Sequence, residues 1–360
     1  MIKEKEHFSL QSTRYQGSKR KLIPWMSTIF KDLEFENVLD VFGGTGVVSY
    51  LFKLMGKSVV YNDYLEFNHQ IGISLIENQN VRLETKDINH LINNSKLDSG
   101  NQGFISSTFK NIYYKENENI WLDNVISKIH NLNSYDSKTL RYKKAIAFNA
   151  LFQSCLVKRP FNLFHRNNLS IRTRRVQRTF GNKTTWERSF EDLFIRYTKE
   201  INDLVIHTKY KCEAICKPVS GLNSNGFDLV YLDPPYLNKD GKNETANYFD
   251  IYHFLEGITI YPDWSNNIDK GSKNLKLINY KENIFKKDNI YNVYDLMFDK
   301  FKNCIIVLSY KSDGLPSIQF LTNRLKQLGK NVRIKSLDYS YSLKKNNKDK
   351  RDREFIIIGV

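Results

Sequence analysis

A carboxylate, two prolines and a tyrosine follow a short apolar run in the second half of the chain. They are Asp233, Pro234, Pro235 and Tyr236, directly after residues 227–232. The run is short and rich in aromatic and β-branched residues, which predicts a buried strand, and the prolines end it because they lack a backbone donor. Asp233 and the Pro234 carbonyl could accept the two hydrogens of an exocyclic amine while Tyr236 stacks on a planar base. Taken alone, the segment also fits an ordinary strand followed by a turn.

A glycine-rich turn in the first half of the chain is a second candidate site. Gly43, Gly44, Thr45 and Gly46 lie between a predicted strand at 38–42 and a predicted helix at 47–54 that ends at Gly56. Such glycines let a ligand approach the backbone, and the helix N-terminus offers free N–H groups. The alternative is a purely structural tight turn. No Gly-Lys-Ser/Thr follows, which excludes a phosphate-binding P-loop.

Asp63 supports the ligand-binding interpretation of the glycine turn. It ends a second predicted strand, 57–63, about 20 residues after the turn, where an acidic side chain can hold the hydroxyl pair of a ribose. Strand, turn, helix and strand form a βαβ unit and therefore predict a parallel sheet. In such a sheet ligands bind at the switch point, which would bring Gly44 and Asp233 to one ligand. An adenosyl cofactor with a methyl sulfonium group fits between the two sites.

The overall charge favours a polyanionic partner. The 360 residues carry 55 Lys+Arg against 39 Asp+Glu, a net charge of +16. The N-terminus lacks an apolar signal core and no apolar stretch of about 18 residues occurs, so nucleic acid is preferred over a membrane. The four cysteines lack the spacing of a zinc site. We expect a cytoplasmic protein with reduced thiols and no metal.

The periodicity of the chain predicts one α/β domain with an insertion. Residues 1–67 and 211–360 carry the strand patterns, and residues 68–210 carry mainly helical patterns, of which 143–157 and 186–205 are the clearest. The predicted fold is a doubly wound, mostly parallel Rossmann-like sheet interrupted by a mainly helical domain. The last two strands are expected at about 331–339 and 354–360.

The insertion contains a strongly basic segment between residues 158 and 188, with a single acidic residue, Glu187. Arginines suit both phosphate contacts and guanine readout, so this segment is a candidate DNA-binding surface, with a solvated basic face as the alternative. The expected DNA contacts are Arg159, Arg166, Arg172, Arg174, Arg175 and Arg178. Further along the chain, His253 is interpreted as structural or DNA-facing rather than catalytic.

At these positions the sequence resembles adenine-specific DNA methyltransferases, and is most similar to the Dam-like group. Residues 14–19 resemble the N-terminal motif that touches the methionine end of S-adenosyl-L-methionine, and residues 41–46 resemble the F-x-G-x-G loop. Asn62-Asp63 resembles the segment with the ribose-binding acid, which would be Asp63, and residues 233–236 match the D-P-P-Y catalytic motif. One departure concerns residues 215–218, where family members often carry a Gly-Asp pair near the cofactor adenine.

The resemblance implies S-adenosyl-L-methionine as cofactor, double-stranded DNA as substrate and a restriction-modification setting, with a cognate restriction endonuclease as a candidate partner. By position, Asp233 would contact the cofactor amino group or the target amine, and Tyr236 would stack on a flipped adenine. The residues implied at the cofactor are Tyr15, Gly17, Lys19, Phe42, Gly43, Gly44, Thr45, Gly46, Asp63 and Asp233.

The implied reaction is direct in-line methyl transfer without a covalent enzyme intermediate. Methylation of a cytosine ring carbon would need a cysteine beside a proline, and the chain has no Pro-Cys pair. Three alternatives stay open at this point: an RNA adenine methyltransferase, a non-catalytic nucleic-acid-binding protein with the same fold, and, more remotely, a dinucleotide-dependent oxidoreductase.

Overall fold

A seven-stranded sheet forms the centre of the computed structural model, which describes residues 15, 17–93, 103–174, 183–239, 247–278, 281, 283–338 and 353–360. The strands run in the order β3-β2-β1-β4-β6-β9-β8. The first five are parallel, whereas β9 is antiparallel to both β6 and β8. The strand bounds are β1 Asn37–Asp40, β2 Ser58–Asn62, β3 Cys212–Ile215, β4 Leu229–Leu232, β6 Ile305–Lys311, β8 Val332–Asp338 and β9 Arg353–Gly359, with β5 Leu237–Asn238 and β7 Gly314–Leu315 forming a separate two-stranded sheet.

The sheet is covered by helices on both faces. Alternate residues of a strand point to opposite faces, and because the residues of the central strands are apolar on both faces, each face has to be covered. In β4, for example, Leu229 and Tyr231 join one hydrophobic cluster, whereas Val230 and Leu232 join the other. The α-helices in the described residues are α1 Ile23–Lys31, α2 Val47–Leu54, α3 Glu66–Gly72, α4 Thr85–Ile92, α5 Phe104–Thr108, α6 Glu116–His130, α7 Ser137–Lys158, α8 Leu169–Thr173, α9 Lys183–Glu187, α10 Phe190–Leu204, α11 Tyr248–Thr259, α12 Ile290–Lys300 and α13 Ile318–Gln327.

These elements confirm the predicted fold class, an α/β protein with a mostly parallel Rossmann-like sheet. The helix expected at 47–54 has those bounds, and Gly56 follows it with φ 71°. The helix expected at 186–205 is instead two helices, α9 and α10, because Ser189 accepts a hydrogen bond from the Asp192 amide and starts a new helix there.

The described residues between β2 and β3 form helices and no strands. The longest of them, α7, packs on both α3 and α10, and the resulting hydrophobic cluster continues to one face of the sheet. The division into 1–67 plus 211–360 and an inserted 68–210 remains a prediction. Among the described helices, none is both long and apolar enough to cross a membrane.

Candidate active site

Asp233 lies directly beyond the carboxyl end of β4, a strand whose four residues are all buried. Its Oδ1 atom lies 2.8 Å from Nζ of Lys19 and accepts a hydrogen bond from the Tyr236 hydroxyl at 2.5 Å. Lys19 is almost completely buried, whereas 17% of the Asp233 side chain is exposed. Such a pairing compensates the burial of the lysine charge and leaves part of the carboxylate accessible.

Glu354, near the start of β9, completes this charged group and was not predicted from the sequence. Its Oε1 atom lies 3.4 Å from Nζ of Lys19 and 3.5 Å from the Tyr236 hydroxyl, and its side chain has no exposed surface. The Lys19 ammonium is therefore shared between two carboxylates that are 121 residues apart in the chain (354 − 233). A lone acidic residue at the start of an apolar strand was the only available signal.

The glycine turn follows β1 and is shaped around Tyr61. Gly44 and Gly46 have φ values of 50° and 72°, which favour glycine. A Cβ atom added to Gly43 would lie 2.0 Å from the Tyr61 ring, which is completely buried and whose hydroxyl donates to the Gly44 carbonyl at 2.7 Å. Glycine is therefore required at positions 44 and 46 by the backbone conformation and at position 43 by the packing of the Tyr61 ring.

Asp63 holds the glycine turn from the end of β2. Its two carboxylate oxygens accept hydrogen bonds from the Gly44 and Leu65 amides, each at 2.9 Å. Burial raises the pKa of Asp63, while these two amides oppose the shift. Asp63 therefore fixes the backbone around the turn, and its carboxylate keeps acceptor capacity for a further donor.

Asp40, the last residue of β1, is a second carboxylate beside the turn and was also missed. Burial raises its pKa to about 7, and the Ser49 hydroxyl, which donates to Oδ2 at 2.6 Å, partly opposes that shift. Its Oδ1 atom is buried without a hydrogen-bond partner among the described residues. A buried acceptor without a donor is costly, so Asp40 marks a position where a ligand donor would be stabilised.

Tyr15 forms an aromatic stack with two tyrosines of α11. Its ring centroid lies 4.6 Å from that of Tyr252 and 5.8 Å from that of Tyr248, with interplanar angles of 11° and 18°. The Tyr15 hydroxyl accepts a hydrogen bond from the Asn68 amide group at 3.1 Å. The stack lies beside the glycine turn, since a Cβ atom added to Gly44 would lie 3.8 Å from the Tyr15 ring.

A cavity of about 780 Å³ joins these groups at the carboxyl edge of the sheet. Its size is typical of a small-molecule site. Of the sequence-predicted residues, it is lined by Tyr15, Gly17, Lys19, Phe42, Gly43, Gly44, Thr45, Asp63, Asp233 and Pro235, and also by Asp40 and Tyr248. Gly46, Pro234 and Tyr236 do not line it. Cys216, Lys217 and Pro218 do, so the segment that departs from the family pattern still faces the ligand space.

Comparison with known proteins identifies the enzyme family of this chain. The family of D12 class N6 adenine-specific DNA methyltransferases matches residues 15–297, which include the glycine turn and the D-P-P-Y motif. The chain belongs to this family. It is therefore a DNA adenine methyltransferase, and the RNA-directed, non-catalytic and oxidoreductase alternatives are set aside.

Several curated relatives agree with this assignment. The chain is 24% identical over 352 residues to the type II methyltransferase M2.HphI of Haemophilus parahaemolyticus, covering 96% of each protein. It is 22% identical over 329 residues to the type II methyltransferase M.NlaIII of Neisseria lactamica, covering 88% of each. It is 26% identical to the modification methylase StsI of Streptococcus sanguinis, of which it spans 51%.

Two arginines of the methyltransferase's basic segment have structural roles instead of the DNA contacts expected from the sequence. Arg159 is completely buried, and its guanidinium donates to the carbonyls of Leu163 at 3.1 Å and Arg166 at 2.6 Å. The Arg172 side chain is 2% exposed and pairs with Glu118 at 2.7 Å. Neither guanidinium is accessible to a phosphate, because both side chains are buried. The sequence prediction was wrong for these two residues because a run of charges does not reveal which side chains are buried.

The other four arginines differ in what the structure shows of them. Arg166 and Arg174 are exposed, as a DNA contact requires. Arg175 and Arg178 lie outside the described residues. His253 is completely buried, its Nε2 atom lies 2.8 Å from the Tyr113 hydroxyl, and burial lowers its pKa to about 3, so it is structural.

One group of potential metal ligands lies beside the cavity, formed by Glu66, His69 and Cys216. Both ring nitrogens of His69 are engaged, Nδ1 with Glu66 and Nε2 with the Ala214 carbonyl, each at 3.1 Å. Burial raises the pKa of the Cys216 thiol to about 12, which disfavours the thiolate that a metal requires. These hydrogen bonds account for the group without an ion.

Replacing Gly43 by alanine should destabilise the turn. The added Cβ atom would force the buried Tyr61 ring or the turn itself to move, at a cost of about 1–3 kcal/mol. Urea denaturation would measure the free energy of unfolding. Gly221→Ala is the control, since its added Cβ atom would make only ordinary contacts at 3.8 Å. Equal stability of the two variants would contradict the role assigned to Gly43.

Replacing Glu354 by glutamine should lower kcat roughly tenfold, the equivalent of about 1.4 kcal/mol. The glutamine keeps the shape, but Asp233 is then the one carboxylate of the group that pairs with the Lys19 ammonium, which weakens Asp233 as an acceptor. Steady-state kinetics would measure kcat, and thermal denaturation would verify folding. Glu84→Gln, at an exposed pair with Lys86, is the control and should leave kcat unchanged. A folded Glu354→Gln enzyme with wild-type kcat would refute the proposed effect of Glu354 on Asp233 through the shared Lys19 ammonium.

Proposed function

We propose that this methyltransferase uses S-adenosyl-L-methionine to methylate one adenine within a specific sequence of double-stranded DNA, as part of a restriction-modification system. The single observation that carries the proposal is the position of Asp233. It lies at the carboxyl end of β4, on the same cavity as the glycine turn after β1 and the carboxylate after β2. A methyl donor and an adenine amine can therefore meet in one space.

The residues around the cavity fit this cofactor. Its ammonium group is a donor for the unpartnered Oδ1 atom of Asp40, and its ribose hydroxyls are donors for Asp63. The glycine turn allows close approach of the backbone, and the Tyr15 ring supplies an apolar face. In the bound state the cofactor supplies an electrophilic methyl group on a cationic sulfur.

The chemistry asked of the protein is positioning and hydrogen bonding. Asp233 accepts a hydrogen bond from the exocyclic amine, which orients the nitrogen lone pair toward the methyl carbon. The bond from nitrogen to the methyl carbon would form as the carbon–sulfur bond of the donor breaks, with that electron pair leaving on sulfur as a neutral thioether. The nitrogen would then give up one of its two protons, for which the partly exposed Asp233 carboxylate is the nearby acceptor. Lys19 and Tyr236 hold Asp233 in place through their contacts to Oδ1.

The roles proposed for Pro234, Pro235 and Tyr236 are to shape and cover the base pocket. Pro235 lines the cavity, whereas the Tyr236 hydroxyl is directed at Asp233 and its ring packs edge-on against Tyr310, with centroids 5.5 Å apart. For Tyr236 to stack on a flipped adenine, the base therefore has to enter the cavity next to the Tyr236 ring. A flipped base costs a few kcal/mol of lost stacking, which contacts of this kind offset.

The proposed DNA surface comprises the exposed Arg166 and Arg174. It also includes Arg175 and Arg178, which are predicted from the sequence and lie outside the described residues. The restriction-modification setting rests on the relatives, two of which are named type II methyltransferases. A cognate restriction endonuclease with the same recognition sequence would then be the functional partner. The exposed arginines of this surface suit the phosphate backbone, which positions a protein on duplex DNA without reading its sequence.

Expression in a host that lacks DNA methylation should place N6-methyladenine at one short sequence of the genome. Single-molecule sequencing would map the marks. Asp233→Ala should abolish all of them, because the amine loses its acceptor, although the purified variant should still bind S-adenosyl-L-methionine within a few-fold of wild type. Marks that persist in the Asp233→Ala strain would contradict the catalytic role of Asp233.

Replacement of Arg172 and of Arg174 by methionine should affect different properties, namely protein stability and DNA binding. Arg172→Met should lower the free energy of unfolding by about 1–3 kcal/mol, because it leaves the mostly buried Glu118 with Lys158, at 2.8 Å, in place of two cationic partners. Arg174→Met should leave stability within about 0.5 kcal/mol but reduce the salt dependence of DNA binding, the slope of log K against log salt, by roughly one. Fluorescence anisotropy at several salt concentrations would measure that slope, and an unchanged slope would exclude Arg174 from the DNA contact.

A further inference from the structure

Phe161 is the most exposed large apolar side chain among the described residues, with 66% of its surface accessible. It lies in the short helical turn Pro160–Asn162 between α7 and α8. Its backbone has φ 61° and ψ 2°, and Asn162 follows with φ 58°. Asparagine tolerates this left-handed conformation, whereas for a bulky aromatic residue it is an outlier. An exposed ring on a strained backbone therefore has no explanation within the described fold.

The turn that carries Phe161 is firmly held. The buried Arg159 guanidinium donates to the carbonyls of Leu163 and Arg166 on the far side of the turn, and to the carbonyl of Tyr113 at 3.3 Å. The Tyr113 hydroxyl in turn donates to the Phe164 carbonyl at 2.8 Å. These contacts fix the backbone on both sides of Phe161 while the ring itself projects outward. The strain is thus imposed by the surrounding structure, which is typical of functional sites.

The turn is also tied to the wall of the cavity. The Phe164 amide donates to the carbonyl of Ile251 at 2.9 Å, and Ile251 lies on α11 one turn after Tyr248, which lines the cavity. Phe164 is three positions after Phe161 in the chain, a span of at most about 11 Å. Phe161 is therefore linked through Phe164 to the helix that carries Tyr248, a residue of the cavity wall.

The surroundings of Phe161 are basic. The exposed Arg166 follows it in the same loop, and the exposed Arg174 ends α8, which contacts the turn. A ring flanked by arginines matches stacked bases between phosphates better than it matches an apolar protein surface. Proteins that distort a duplex often insert an apolar side chain between base steps.

We propose that Phe161 is a wedge that inserts into the target duplex and occupies the space left by the flipped adenine. The proposal rests on the proposed function, namely methylation of a flipped adenine in duplex DNA, and deepens it by assigning the residue that stabilises the opened base pair. Arg159 positions this wedge from inside the protein and makes no DNA contact itself. The ring acts on the DNA and not on the methyl donor, because it does not line the cavity.

Phe161→Gly tests the wedge without endangering the fold. Glycine adopts φ values near 60° at no steric cost, so the variant should be at least as stable as wild type in thermal denaturation. Ile334→Ala is the matched control, since Ile334 is an exposed apolar residue, 45% accessible, on the distant strand β8. Both variants should bind S-adenosyl-L-methionine like wild type.

Two duplexes containing the mapped recognition sequence provide the readout. In the first, the target adenine is paired, and in the second it faces an abasic site, so that no base pair has to be opened. Phe161→Gly should methylate the paired duplex at least tenfold more slowly than wild type in single turnovers, but the second duplex within about threefold of wild type. With 2-aminopurine at the target position of the paired duplex, the fluorescence increase on binding should be at least fivefold smaller.

Each contrary outcome is distinct. Wild-type rates and fluorescence for Phe161→Gly on the paired duplex would overturn the wedge and leave the proposed function intact. A rate loss of equal size on both duplexes would also overturn it, because the ring would then support binding or folding instead of base-pair opening. Failure of the wild-type enzyme to methylate either duplex would overturn the proposed function and the wedge together.

Discussion

The sharing of the Lys19 ammonium between Asp233 and Glu354 is the interaction on which the active site depends. The three residues come from the start, the middle and the end of the chain, and the Lys19 and Glu354 side chains are almost entirely buried. A buried charge without an opposite charge nearby is strongly destabilising, so the buried Lys19 and Glu354 stabilise each other and the partly exposed Asp233 adds to the pairing. The group therefore forms only when β4 and β9 are both in place beside the N-terminal segment. The position of Asp233, the proposed catalytic carboxylate, thus depends on the pairing of the strands in the sheet.

The doubly wound sheet explains why ligand groups from distant segments converge. β1 and β4 are neighbours, so the glycine turn after β1 and Asp233 after β4 emerge side by side at the same edge. β2 adds Asp63 on the other side of β1. The proposed cofactor and base sites thus follow neighbouring strands, whose axes lie close to 5 Å apart. Their proximity is a property of the strand order.

Much of this site could be predicted because it is written in short, local patterns. The glycines, Asp63 and Asp233 follow apolar strands directly, and the periodicity of those strands fixes which edge of the sheet they occupy. Burial of long polar side chains was not predictable in this way. Arg159 and Arg172 belong to a basic run, yet they point inward, toward backbone carbonyls and Glu118. Glu354 was missed because its partners are more than a hundred residues away, and nothing in its neighbourhood reveals them.

The most direct test of the central claim is a double-mutant cycle on single-turnover methyl transfer with Lys19→Met, Glu354→Gln and the combined variant. We expect strong coupling, of about 1 kcal/mol or more, because Glu354 acts through the ammonium of Lys19. The double variant should then be no slower than Lys19→Met alone, since the glutamine removes a buried carboxylate that would otherwise have lost its ammonium partner. Rate losses that simply add would show that the two residues act independently and would contradict the account.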